Sequence, residues 1–157
     1  MTYRIEDEPR PGKLQTIAVR PLWPLLGVML GGTWLAWPWF VVNAVAVGSP
    51  TLWREVLWVV GGFVGTAGLV VGLFTLVGAE ILPEAGIPYA VIALVVWKLL
   101  VSYRVYMLQA RTFELYEYFG GTVKNGLMVA VAALFLEPQL LDLFRDAGQT
   151  FWILLLR

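Results

Sequence analysis

The stretch from Val56 to Ala79, VLWVVGGFVGTAGLVVGLFTLVGA, decides the fold class of this chain. It runs for 24 residues without a charged side chain. A helix of about 20 apolar residues is long enough to cross the ~30 Å hydrocarbon core of a membrane. Arg54 and Glu55 come directly before the stretch and would stop at the lipid headgroups. The stretch therefore predicts a transmembrane helix.

A second apolar segment follows, from Ile87 to about Leu108, after the acidic loop EILPEAG. Pro88 lies in its first turn, where the missing N–H of proline costs nothing. The two segments therefore predict an antiparallel transmembrane hairpin. The composition agrees, since 59% of the 157 residues are hydrophobic and 14% are charged, with a mean hydropathy of +0.75.

The apolar segments on either side of this hairpin are harder to interpret. Leu22 to Val47 is interrupted by Trp37-Pro38-Trp39, and three interpretations stay open: a span over 23–39, a proline-kinked span over 25–47, or a helical hairpin that enters the membrane and returns. The last segment, 126–144, has eleven apolar residues before Glu137-Pro138. It is either a kinked helix that carries Glu137 and Asp142 inside the protein or a half-helix with an interfacial tail.

The predicted fold is thus an all-α integral membrane protein with about four helical segments, at 22–47, 56–79, 87–108 and 126–144. Residues 1–20 form a polar N-terminal arm, and residues 21–157 form one membrane domain. The loop 80–86 has no lysine or arginine, whereas the opposite ends of the hairpin are basic, which puts the basic ends in the cytoplasm. The basic N-terminal arm lies on the same cytoplasmic side only if the first segment enters and leaves the membrane on one side. We expect a bacterial cytoplasmic membrane.

Small residues recur along the first span at spacings of four, three and four, which stack on one helical face: Gly61, Gly65, Gly68 and Gly72. In lipid, such a face lets helices approach closely. We expect it to pack against other helices of this chain, ahead of a second copy or a foreign partner.

Lys98 interrupts the second span in the stretch 95–104, VVWKLLVSYR. If Tyr103 marks the interface, Lys98 lies only about 8 Å deep and reaches the headgroups by snorkelling, which is the favoured interpretation. In the other interpretation, Lys98 pairs with Glu137 or Asp142. Together with Arg104, these residues would form an intramembrane charge site that lines a polar path or fixes helix register.

The second span continues as an extension to residue 119, with a predicted amphipathic face at Leu108, Thr112, Leu115 and Phe119 and an end at Gly120-Gly121. Such a helix lies on the membrane, packs on the N-terminal arm, or docks a cytosolic partner.

The composition excludes several chemistries. The chain has no histidine and no cysteine, which removes imidazole or thiolate ligation of haem and zinc and a serine-histidine dyad. Ser102 lies one turn after Lys98, but no further motif supports a serine-lysine enzyme. With eleven acids and eleven bases, no charge bias points to nucleic acid. We expect a non-enzymatic membrane subunit or scaffold without cofactor or metal, in a homo-oligomer or larger complex. The alternative is a small channel or transporter component.

Overall fold

The computed structural model describes Pro9, residues 12–142 and residues 148–157, and the regular structure in this part of the chain is helical. The all-α fold class is therefore confirmed. The described residues form two 3-10 turns, Lys13–Ile17 and Glu84–Gly86, and six α-helices of unequal length. The helices are α1 (Leu22–Gly31), α2 (Thr33–Val47), α3 (Leu52–Gly78), α4 (Ile87–Tyr118), α5 (Leu127–Asp142) and α6 (Gln149–Leu156).

The two longest helices, α3 and α4, pack against each other. They have 27 and 32 residues, which at 1.5 Å per residue makes them about 40 and 48 Å long. Both are long and apolar enough to cross a membrane. Only 22% of the most apolar window of each is buried, whereas a core helix of a soluble protein would be mostly buried. Helix α4 begins at Ile87 with Pro88 in its first turn, as predicted.

Helices α1 and α2 form a hairpin whose turn is at Gly32. Gly32 has φ +83°, and a Cβ there would lie 2.5 Å from the Leu156 carbonyl oxygen, so the turn requires glycine. A Cβ on Gly27 of α1 would lie 3.6 Å from the Cβ of Ala36 in α2, which shows that the two legs lie side by side. Pro38, where a kink was expected, lies inside α2. A single helix over 23–39 or 25–47 is therefore wrong, because the chain reverses at Gly32.

Asn43 closes the open end of this hairpin. Its fully buried amide accepts a hydrogen bond from the backbone N–H of Val19 (3.1 Å) and donates one to the Val19 carbonyl (2.7 Å). The neighbouring carbonyl of Ala18 accepts a hydrogen bond from the backbone N–H of Lys124. These bonds hold the end of the N-terminal arm against α2 and against the loop that follows α4.

The extension of α4 packs on this same region. It is one continuous helix to Tyr118, and Gly120 with φ +84° ends it where the Gly-Gly pair predicted. Its buried side chains are Gln109, Thr112, Phe113 and Tyr116, whereas Phe119 is exposed. The inward face is thus rotated from the predicted stripe, with Thr112 common to both. Phe113 and Tyr116 pack in a cluster with Ala18, Ala46 and Val47.

Helix α5 continues through Pro138 to Asp142, which favours the kinked helix over the half-helix. Glu137 is buried at 8% exposure, whereas Asp142 is exposed, and residues 143 and 144 lie outside the described part. Helix α6 then packs against α3, with the rings of Phe151 and Phe74 stacked at 6.4 Å between centroids.

Candidate functional site

Lys98 lies on α4 at the point where α6 ends. Its side chain is 4% exposed, and its Nζ donates a hydrogen bond of 2.7 Å to the carbonyl of Leu154. The last carbonyls of any helix lack partners within the helix. Thr33 Oγ1, from the first residue of α2, reaches the next two carbonyls, of Leu155 at 3.1 Å and of Leu156 at 2.9 Å. Lys98 and Thr33 therefore cap the carboxyl end of α6.

The electrostatics of this cap are favourable. The carboxyl end of a helix carries a partial negative charge, which a cation such as Lys98 offsets. The amino end of α2, where Thr33 lies, carries a partial positive charge and meets the same carbonyls. Because an unpaired carbonyl in an apolar interior costs several kcal/mol, such a helix end needs these partners.

The predicted partners of Lys98 are found in other contacts. Glu137 pairs with Arg157, with 3.1 Å between Arg157 Nε and Glu137 Oε1, so the expected Lys98–Glu137 pair is not formed. Snorkelling does not describe Lys98 either, since its ammonium group points inward to α6. Lys98 and Arg157 both line an apolar cavity of about 380 Å³ between α1, α4 and α6.

Arg104 and Asp142 are exposed, unlike the buried Lys98 and Glu137. Asp142 is exposed at the end of α5. Arg104 is exposed on α4, and its guanidinium lies 5.9 Å from the ring centroid of Trp58 in a cation–π arrangement. Two of the four predicted charges, Lys98 and Glu137, are thus buried and two are exposed, and a common intramembrane charge site stays a prediction.

Ser102 links the same turn of α4 to α2. Its hydroxyl donates to the carbonyl of Lys98 (2.7 Å) and accepts a hydrogen bond from the indole N–H of Trp37 (2.8 Å). Trp37 is fully buried and packs edge-to-face on Phe63, with 4.5 Å between centroids. The Ser102 hydroxyl and the Lys98 ammonium thus donate to different carbonyls and not to each other, unlike a nucleophile and its base.

A second buried polar site, around Glu55, is absent from the sequence predictions. Glu55 was expected at the headgroups but is fully buried. Its Oε1 accepts hydrogen bonds from Ser49 (2.5 Å) and Thr51 (2.7 Å), and its Oε2 accepts one from Gln109 Nε2 (2.7 Å). The same Nε2 donates to the carbonyl of Phe40 (2.6 Å). The site therefore joins α2, the start of α3 and α4.

Only part of this Glu55 site had a sequence signal. Ser49, Thr51 and Glu55 lie within seven residues at the start of a helix, where hydroxyl and carboxyl side chains commonly bond to one another. Gln109 lies 54 residues from Glu55, so no local pattern could have found it. Every bonded neighbour of the carboxyl group is a hydrogen-bond donor. That arrangement suits a carboxylate and repels a cation.

The four predicted packing glycines differ in their surroundings. A Cβ on Gly65 would lie 2.5 Å from the ring of Trp97, whereas a Cβ on Gly61, Gly68 or Gly72 would meet no atom of the described part of the chain within 4 Å. The buried glycine of α3 is Gly62, where a Cβ would lie 2.7 Å from Val101 and 2.9 Å from Trp37. Packing inside the chain thus involves one of the four, and a role of the stripe in assembly stays a prediction.

The described residues hold no group of three or more acidic side chains that could bind a metal. Comparison of the chain with protein-family profiles, curated proteins and solved structures found no match.

Proposed function

We propose that this protein is a non-catalytic membrane subunit that assembles through the outward face of α3. The observation that carries the proposal is the contrast between the two faces of this helix. The inward face, which includes Glu55, Gly62 and Thr66, is buried, whereas Gly61 and Gly68 have no neighbour among the described residues within reach of a Cβ.

The distribution of charge supports membrane insertion. The α1–α2 hairpin returns to the end from which it starts, and Arg20 pairs with Glu117 at 3.2 Å near the end of α4. Arg54 and Arg104 line a common groove at this end of the α3–α4 pair. The loop between α3 and α4 carries acids and no bases. Gathering of lysine and arginine at one end favours a cytoplasmic location for that end, with a bacterial cytoplasmic membrane as the expected residence.

The lengths of the hairpin legs fit a re-entrant element. Helices α1 and α2 have 10 and 15 residues, or about 15 and 22 Å, so neither crosses a ~30 Å core. The turn at Gly32 would lie inside the membrane, where irregular backbone is tolerated only when protein covers it. Contact of Gly32 and Thr33 with the end of α6 provides that cover.

The buried polar groups support a structural role over catalysis or transport. Lys98 caps α6, Glu137 pairs with Arg157, and Glu55 binds side chains of its own bundle. Each of these charges has a partner that holds two helices together. A subunit or scaffold needs this fixed arrangement, whereas a conducting path needs polar groups that can release their partners.

A second copy of the chain is the occupant that the outward face fits best. Glycines and exposed valines both lie along it. Val64, which is 67% exposed, lies between Gly61 and Gly68, and Val71, which is 52% exposed, lies after Gly68. In lipid, helices associate by close packing of such small-residue faces. A two-fold dimer brings the same face together from both copies, so the ridges of valine on one copy meet the glycines of the other.

Single cysteines test this proposal directly, because the chain has none of its own. We expect Val64→Cys to form a disulfide-linked dimer in oxidised membranes, and Leu100→Cys, which is 61% exposed on α4, to remain monomeric. Adding Gly68→Leu to the Val64→Cys chain should abolish the cross-link without unfolding the protein, because a side chain at Gly68 has free space. Equal cross-linking at both positions would contradict the proposed surface.

Ion flux provides the opposing test. Purified protein in proteoliposomes should conduct no ions above the level of empty vesicles. Flux that disappears in a folded Lys98→Leu or Glu137→Gln variant would favour a transport function instead.

A further inference from the structure

Three arginines line one groove at the basic end of the bundle. Arg54 comes from the first turn of α3, and Arg104 and Arg111 come from α4; the groove between them has a volume of about 670 Å³. All three side chains belong to exposed residues. Among the described residues none of the three forms a salt bridge, and Glu114 is the one acidic residue in the lining.

The helix geometry explains why these charges meet. Arg104 and Arg111 are seven residues apart, two turns along the same face of α4, and the antiparallel helix α3 brings Arg54 beside them. Like charges that converge in this way repel one another unless an anion lies between them. Guanidinium groups bind phosphate through two parallel N–H···O bonds, so a phosphate group is the anion that such a cluster suits.

An apolar groove continues directly from this cationic one. It has a volume of about 220 Å³, it is lined by Leu57, Trp58 and Leu108, and it shares Arg54 and Arg104 with the first groove. The Trp58 ring beneath the Arg104 guanidinium holds this cation at the boundary between the two. A cationic groove that opens into an apolar one matches an amphipathic anion with a charged head and a hydrocarbon tail.

The position along α4 matches the same ligand. Arg104 lies 17 residues after Ile87, or about 26 Å along the helix. In the proposed membrane placement, this distance brings Arg104 to the headgroup layer of the cytoplasmic leaflet, where anionic phospholipids are present.

We infer that the groove formed by Arg54, Arg104 and Arg111 binds the phosphate headgroup of an anionic phospholipid, with an acyl chain against Leu57, Trp58 and Leu108. The guanidinium groups attract the negative charge of the phosphate and donate hydrogen bonds to its oxygens, and the apolar groove receives the start of the chain. This inference rests on the membrane placement proposed above.

Native mass spectrometry of the full chain in a mild detergent tests the inference, with phosphatidylglycerol and phosphatidylcholine as probes. We expect at least tenfold tighter binding of phosphatidylglycerol. The variant Arg54→Gln/Arg104→Gln/Arg111→Gln should reduce that preference to less than threefold. The single change Arg111→Gln, at an exposed position, should produce a partial loss and serves as the variant least able to disturb folding.

A matched control removes the same charge elsewhere at this end of the molecule. Lys13→Gln/Arg20→Gln/Lys124→Gln also removes three positive charges but changes no residue of the groove. This control should retain the preference for phosphatidylglycerol. Glu114→Gln, which removes the acid of the groove, should strengthen it. An equal loss in both triple variants would show that net charge attracts the lipid without a site and would overturn the inference.

Three further outcomes distinguish the possible failures. If millimolar inorganic phosphate displaces bound phosphatidylglycerol as effectively as added phosphatidylglycerol does, the groove binds a soluble anion. That result would overturn the lipid assignment. A detergent-solubilised protein with no preference between the lipids would refute the lipid site but leave the membrane function intact. Recovery of the chain in the aqueous fraction, without detergent, would refute the membrane placement itself.

Discussion

Replacement of Glu55 by alanine should destabilise the protein more than any exposed substitution, because three hydrogen-bond donors converge on this fully buried carboxyl group. Ser49 and Thr51 donate to one oxygen at 2.5 and 2.7 Å, and Gln109 donates to the other at 2.7 Å. The change removes an acceptor from all three donors, of which Ser49 and Gln109 are buried and Thr51 is half-buried. Two of them can partly recover, since the Ser49 and Thr51 hydroxyls already lie 3.1 Å apart.

The magnitude follows from this partial recovery. A buried N–H or O–H left without its acceptor costs about 1–3 kcal/mol; here Gln109 loses the Glu55 acceptor of its Nε2 group but keeps the carbonyl of Phe40. The missing side-chain atoms leave a void that adds about 1–2 kcal/mol. The sum is about 2–5 kcal/mol of unfolding free energy. For a chain of this size, it corresponds to a fall in Tm of roughly 10 °C.

Thermal unfolding in detergent measures this effect, with tryptophan fluorescence as the signal. Glu84→Ala, in the exposed loop before α4, removes the same side chain from a position without a described hydrogen bond and should shift Tm by less than about 2 °C. Glu55→Gln should fall between the two variants, because the amide keeps one acceptor oxygen but brings an N–H group toward Gln109. If Glu55→Ala and Glu84→Ala unfold at the same temperature, the Glu55 site does not hold these helices together.

Three other substitutions, one of them with a matched control, test the remaining parts of the bundle. Asn43→Leu should cost about 2–4 kcal/mol and speed hydrogen exchange at the Val19 amide, because both backbone groups of Val19 lose their partner. Gly62→Ala should cost about 1–3 kcal/mol through overpacking, whereas Gly61→Ala, with free space around its Cβ, should be neutral or slightly stabilising; the two values of Tm compare them. Thr33→Val should cost about 1–2 kcal/mol and increase protease cleavage within α6, whose terminal carbonyls it leaves uncapped.

The long helices were predictable because their signals are local. The run from Val56 to Ala79 has no charge, and Pro88 marks the start of the next helix, so length and composition are sufficient. The end of α4 was equally accessible, since Gly120 adopts the left-handed conformation that ends helices. Each of these features depends on residues within a few turns of one another.

The first segment shows where local signals fail. Pro38 is the strongest helix breaker in its sequence, yet the chain passes through it as a helix and reverses at Gly32 instead. Contact with the end of α6, more than a hundred residues later, makes Gly32 the turn. The residues around Gly32 in the sequence cannot indicate that Leu156 packs against it.

The sequence by itself determined that this chain is helical and apolar, where its two long helices lie, and which metal and nucleophile chemistries its composition lacks. The tertiary structure decided which partner each buried polar group has. Lys98 was ambiguous in sequence because its depth and neighbours depend on α6, whose carbonyls it caps. Gln109 was invisible because its partner Glu55 lies on another helix. Periodicity records which face of a helix is apolar, but a hydrogen bond between distant segments depends on how the helices pack.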